Sequence, residues 1–238
     1  MKASTTFAGI ALLALSAIPV LADNSFAYVY MRSNSNQPWG QTTNEDAMDN
    51  VFGSGNWGTI YYETSNPSNV FNSSNYFIFM EGGDSSYDEF SAYMQANIST
   101  ITSWVNNGGR LLIMVAPNNP LNSTYLALPG NIIIQSQAFY QSAASSAYAT
   151  DISNAIFSGP NTTAMNFTGD FFAHGYFSGD NVQAIMYSNL NEIVLGQYVS
   201  GYGLMVYGTL TTDNFQLPQP AAHTLLENII SYTATIGI

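Results

Sequence analysis

Two uninterrupted apolar runs, Tyr76–Met80 (YFIFM) and Leu111–Val115 (LLIMV), bracket a segment whose hydrophobic residues recur with a helical period. Phe90, Tyr93, Met94, Ile98, Ile101, Trp104 and Val105 fall on one helix face. Ser86 and Glu89 form an S-x-x-E capping box at its start, and Gly108-Gly109 supplies the stop. Strands that are apolar without alternation suit a parallel sheet covered on both faces. The pattern predicts a βαβ unit with a right-handed crossover. Asn97 lies on the apolar helix face, so its amide is expected to be buried and bonded to a neighbouring loop.

The same reading predicts strands at Phe26–Met31 and Thr59–Glu63, with a short helix at Glu45–Phe52 between them. Arg32–Gln41, Asn66–Asn75 and Pro117–Pro129 read as loops and Asn131–Ile134 as a short strand, while Ala138–Ala149 has no firm pattern. Asp151–Phe157 reads as one or two helical turns, and Phe167–Gly179 as an aromatic segment around His174. Strands follow at Gln183–Tyr187, Glu192–Tyr198 and Gly203–Tyr207, then a loop at Thr209–Pro220 and a last helix opened by Pro220. Alternating strands and helices in the first half predict a three-layer α/β domain with a mostly parallel central sheet and a C-terminal helix. Nothing marks an internal repeat or linker.

Residues 1–22 have the form of a secretory signal: Lys2, an apolar run from Phe7 to Leu15, and Val20-Leu21-Ala22 as a cleavage site. That leaves 23–238 as one domain, expected to be secreted and soluble, because no later stretch reaches the roughly 18 apolar residues of a membrane span. Charge is sparse, at 8% Asp, Glu, Lys and Arg. Beyond the leader the chain holds two arginines, Arg32 and Arg110, no lysine and all fifteen carboxylates. Nucleic-acid binding, which needs clustered cations, is therefore disfavoured, as is docking on an anionic membrane. A Schiff-base lysine or a P-loop lysine is impossible. There is no cysteine, hence no disulfide. Asn, Ser, Thr, Gln and sixteen tyrosines supply the polarity, a surface suited to sugars or to an acidic or salty medium. Sequons stand at Asn72, Asn97, Asn122, Asn161 and Asn166; all but Asn97 are glycosylation candidates if the source is a eukaryote.

In parallel sheets, ligands bind beyond the carboxyl ends of the strands. Three turns are expected there: Glu81-Gly82-Gly83-Asp84, Ala116-Pro117-Asn118-Asn119 and Thr209–Asn214. Glu81 and Asp84 pair carboxylates across a glycine turn, as acid and base or as hard ligands for Ca²⁺, the one cofactor the residues suggest; equally, Asp84 caps the helix and the glycines permit the turn. His174 is the candidate proton shuttle, with Asp170 to orient it, or else an aromatic-packed structural histidine. His223 is read as a packed or surface residue. Thr211, Thr212, Asp213 and Asn214 offer hydroxyl, carboxylate and amide groups to a neutral ligand, or cap their own loop. Gly82, Gly83, Asp84, Asn118 and Asn119 complete the expected binding set, with Glu81, Asp84, His174 and Asp213 as catalytic candidates.

The motifs EGGD, WVNNGGRLLI and APNN, with the closing segment GYGLMVYGTLTTDNFQLPQPAAHTLLENIISY, resemble the class I glutamine amidotransferase-like fold in its ThuA-like branch. They resemble more closely domains of unknown function in secreted bacterial proteins. The resemblance implies a flavodoxin-like or amidotransferase-like sheet. It also implies a nucleophilic cysteine on a turn after a strand, here Ala116-Pro117-Asn118, and this chain has none. The expectation is a secreted amidotransferase-like domain without that activity, binding a glycan or an extracellular protein. The alternatives are a carbohydrate-active hydrolase or lyase using carboxylates and His174, and a structural coat or matrix protein.

Overall fold

The computed structural model describes residues 26–35, 37–117, 125–136 and 144–235. The leader 1–22, Asn118, Asn119 and the Asn122 sequon lie outside them. The strands, in chain order, are β1 (Tyr28–Arg32), β2 (Trp57–Tyr61), β3 (Phe77–Glu81), β4 (Arg110–Met114), β5 (Tyr125–Leu128), β6 (Ile132–Ser136), β7 (Ala144–Ala149), β8 (Asn166–Ala173), β9 (Gly175–Ser178), β10 (Gln183–Ser188), β11 (Ile193–Ser200) and β12 (Gly203–Gly208). The helices are α1 (Thr43–Phe52), α2 (Pro67–Val70), α3 (Tyr87–Asn106), α4 (Ala155–Ser158) and α5 (Ala221–Thr235).

The twelve strands of the described residues join one mixed sheet. Its parallel part runs β2-β1-β3-β4-β12. From β12 the sheet continues antiparallel through β11, β10, β7 and β8, while β9 carries the β5–β6 hairpin off β11. The three-layer α/β expectation holds, with the parallel run filling the β2 end of the sheet and antiparallel strands the other end.

Alternation along the parallel strands sorts the core into two layers. Val29, Met31, Ile78, Met80, Leu111 and Ile113 pack with Phe90, Met94, Ile101 and Trp104 of α3. Tyr30, Phe77, Phe79, Leu112 and Met114 pack on the other face, with Met48 of α1 and Leu225 and Ile229 of α5. Each such side chain contributes roughly 1.5–3 kcal/mol when fully buried. That outweighs helix capping, worth about 1 kcal/mol, and the predicted capping box is in fact not made. Ser86 occupies the N-cap position without bonding a helix N–H; its Oγ accepts the Ser33 N–H at 3.4 Å. Asn97 is half-buried and donates to the Tyr93 carbonyl within its own helix (2.9 Å), not to a loop.

The second half departs further from the pattern. The expected loop 117–129 contains β5, the unassigned 138–149 ends in β7, and the segment around His174 forms two strands. Among the described residues no helix is long and apolar enough to cross a membrane.

Candidate functional site

β3 delivers Glu81 to the carboxyl edge as its last residue, at 3% exposure. One carboxylate oxygen accepts the Gly83 N–H (2.5 Å) and the other the Asn44 side-chain amide (2.8 Å), which also reaches the Tyr30 hydroxyl. Burial pushes the Glu81 carboxyl up from 4.5 to about 8, with the charges of Glu45 and Asp84 adding to the shift against the two hydrogen bonds. The glycines are required by close approach. A Cβ on Gly82 would lie 2.6 Å from the Phe90 ring, and one on Gly83 would lie 2.5 Å from Glu81 Oε1 and 2.9 Å from the Trp39 ring.

Asp84 follows in a left-handed conformation (φ 47°) and bridges to Pro117, its N–H donating to the Ala116 carbonyl. Its Oδ2 accepts the Trp39 N–H at 2.9 Å. Trp39 is itself left-handed (φ 50°), in the 3-10 turn Pro38–Gly40. Its indole meets His174 edge-on at 5.9 Å and Phe215 at 5.7 Å. Phe171, also left-handed (φ 63°), meets the same imidazole at 6.3 Å. Three strained non-glycine residues thus converge on one histidine; each costs roughly 1–3 kcal/mol, and such outliers collect at functional sites.

His174 sits between β8 and β9, with its N–H on the Thr209 carbonyl and Nδ1 2.9 Å from the Pro117 carbonyl. A carbonyl only accepts, so Nδ1 carries the proton and Nε2 is the basic nitrogen. Burial holds its pKa below the ordinary value, against the opposing pulls of the Pro117 carbonyl and the Asp84 charge. Pro117, not the exposed Asp170, orients the ring.

Asp213, in a second 3-10 turn (Asp213–Phe215), is buried and bonds His223 Nδ1 at 2.7 Å. His223 Nε2 lies 3.3 Å from Glu227, and Asn50 of α1 donates to Glu227 at 2.7 Å. His223 is thus the partner of Asp213, a role its helical position alone did not reveal. Thr211 donates to the Phe171 carbonyl and Thr212 to Asn214 Oδ1, so both hydroxyls are engaged within the protein. Glu81, Asn44, Thr211 and Asp213 border an internal cavity of about 20 Å³, room for about one water.

The three predicted turns therefore do meet at one edge, and Trp39, Phe171 and Phe215, all missed from sequence, form its aromatic surface. The Ca²⁺ expectation finds no geometric support. Glu81 and Asp84 are hydrogen-bonded to protein groups, and among the described residues no cluster of three or more His, Asp or Glu could hold a metal. Asn161 and Asn166 are exposed; Asn72 is half-buried, its amide donating to the Asn69 carbonyl.

No protein-family model matches the chain, and no curated protein matches its sequence. Solved structures do match. A β-galactosidase from Bacillus circulans sp. alkalophilus aligns at TM-score 0.51 and 10% identity over 88% of this chain. This chain spans only 30% of that enzyme's length. A protein of Thermoplasma acidophilum described as a candidate GMP synthase component aligns at TM-score 0.53 and 8% identity, over 87% of this chain and 94% of that one. A cytoplasmic protein of Salmonella typhimurium LT2 aligns at TM-score 0.51 and 11% identity, over 87% and 99%. At these identities the likeness is one of fold alone.

Proposed function

We propose that this protein is a secreted binding domain on an amidotransferase-like scaffold, holding a neutral, hydroxyl-rich ligand such as a glycan at the carboxyl edge. The observation that supports it most is the convergence of Trp39, Asp84 and Phe171, each in a left-handed conformation, on His174. Aromatic rings beside a carboxylate offer a sugar both an apolar face and a hydrogen-bond acceptor. Binding is favoured over amidotransferase chemistry because that route needs a cysteine. Glu81 is sealed beneath the surface and held by Asn44 and Gly83. The fold likeness to part of a β-galactosidase and to a GMP synthase component is in keeping with this reading.

A second reading, a carbohydrate hydrolase or lyase, is favoured by one feature. His174 is held neutral by burial with Nε2 as its basic nitrogen, the state a general base needs. A glycan array, run beside turnover assays on a neutral polysaccharide panel, tests both. Binding abolished by Trp39→Ala and Asp84→Ala, without turnover, supports the binding domain. Turnover lost in His174→Ala supports the enzyme. Neither binding nor turnover with the wild-type chain sinks both.

A further inference from the structure

A larger concavity opens at the opposite edge of the sheet. Tyr76 immediately precedes β3 and Glu81 ends it, roughly 16 Å apart at a strand's rise. Around Tyr76 lies a groove of about 860 Å³, walled by α3 and by the turns before β3 and β4. That volume falls within the roughly 300–1,000 Å³ of small-ligand sites. None of its lining residues is charged.

The groove is built rather than incidental. Trp104 forms its floor, and its indole N–H is shared between the Asn72 carbonyl (3.1 Å) and the Asn75 carbonyl (3.2 Å). The chain passes against that ring only because Gly109 has no side chain; a Cβ there would lie 2.4 Å from the indole. Tyr76 is 43% exposed on the rim, with the Arg110 guanidinium 6.0 Å from its ring centroid. Along the helix wall Ser99, Ser103 and Asn107 recur every four residues, a polar stripe about 12 Å long. Among the described residues neither serine hydroxyl hydrogen-bonds to the protein, so both are available to a ligand.

We infer that this groove is a second ligand site, for a neutral oligosaccharide. Phosphates and polyanions fit poorly, since no lining residue is charged and Arg110, the cation beside the rim, is itself buried. An extended peptide fits poorly, because β3 and β4 are interior strands and offer it no free edge to pair with. A hydroxyl stripe facing an exposed tyrosine suits a short sugar chain, its hydroxyls on α3 and an apolar ring face on Tyr76. The groove would act independently of the carboxyl-edge site.

The test uses the chain produced in a bacterium, so that Asn72 carries no glycan. Uncharged gluco-, manno-, galacto- and xylo-tetraoses are titrated calorimetrically into the wild type, Tyr76→Ala, the exposed-site double variant Ser99→Arg/Ser103→Arg, and Trp39→Ala/Asp84→Ala. Circular dichroism and thermal melts confirm that each is folded. At least one tetraose is expected to bind with Kd below about 1 mM and to weaken about tenfold or more in both groove variants. The carboxyl-edge variant retains that binding. Unchanged affinity in a folded Ser99→Arg/Ser103→Arg chain overturns the proposal. Loss confined to Trp39→Ala/Asp84→Ala also overturns it, yet leaves the carboxyl-edge reading standing. A wild type that binds none of the tetraoses overturns it as well.

Discussion

Replacing Glu81 by glutamine separates charge from shape at the base of the carboxyl edge. The side chain keeps its size, and its carbonyl oxygen can still accept the Gly83 N–H. The new amide would meet the Asn44 amide as donor against donor. A flip of Asn44 resolves this, its oxygen then accepting from both the introduced amide and the Tyr30 hydroxyl. What disappears is a proton. In the folded chain Glu81 holds one up to about pH 8, whereas unfolded it releases it near 4.5. Between those values the folded state binds more protons, so Glu81 makes stability fall as pH rises, then level off above the folded pKa. The slope is at most about 1.4 kcal/mol per pH unit, so the window from 4.5 to 8 is worth up to about 5 kcal/mol. Urea unfolding at pH 5, 6, 7 and 8 measures it. Taking the difference between variant and wild type cancels the other titrating groups. The Glu81→Gln chain should gain on the wild type steadily with pH. Parallel stability curves for the two proteins would refute the buried, protonated Glu81.

Gly83→Ala should cost about 1–3 kcal/mol, since its Cβ meets Glu81 and Trp39 at 2.5 and 2.9 Å, and should shift Trp39 fluorescence; a neutral result would mean the turn is looser than described. His174 binds its proton less readily folded than unfolded, so stability should fall as pH drops below about 6.5; His174→Asn should flatten that acid limb in melts from pH 7 to 5. Asn228 is fully buried and bonds the Ile156 and Asn161 carbonyls and the Asn161 N–H, tying α5 to α4 and to the chain after it. Asn228→Ala should therefore cost about 2–4 kcal/mol in chemical denaturation, well beyond a surface change.

The βαβ unit was legible because burial on both faces leaves an unmistakable composition: β3 and β4 are buried along their whole length. The same rule fails for β7, whose ASSAYA carries small and polar residues, with only Ala147 of 145–149 in the core. It was equally blind to β5, where four residues gain a strand only by pairing with β6. The positions of Glu81, Asp84 and Asp213 at one edge followed from strand ends; that of His174 did not, because β8 and β9 around it were not read from the pattern. Nor did their partners. Trp39 sits in a loop rich in Asn and Ser, and its contact with His174 spans most of the chain, beyond any local period. A Pro-Trp-Gly in an otherwise polar loop was the available signal. His223 looked like an ordinary helical residue because the turn that folds Asp213 back onto it is set by tertiary packing.

The chain's three tryptophans occupy three distinct surroundings. Trp39 stands edge-on to His174, Trp104 floors the groove, and Trp57 donates to Asp49 beside β2. The molecule therefore carries its own optical labels, one at each proposed site and one at neither. Chains retaining a single tryptophan would report occupancy of each edge separately by emission alone, with Trp57 as the silent channel.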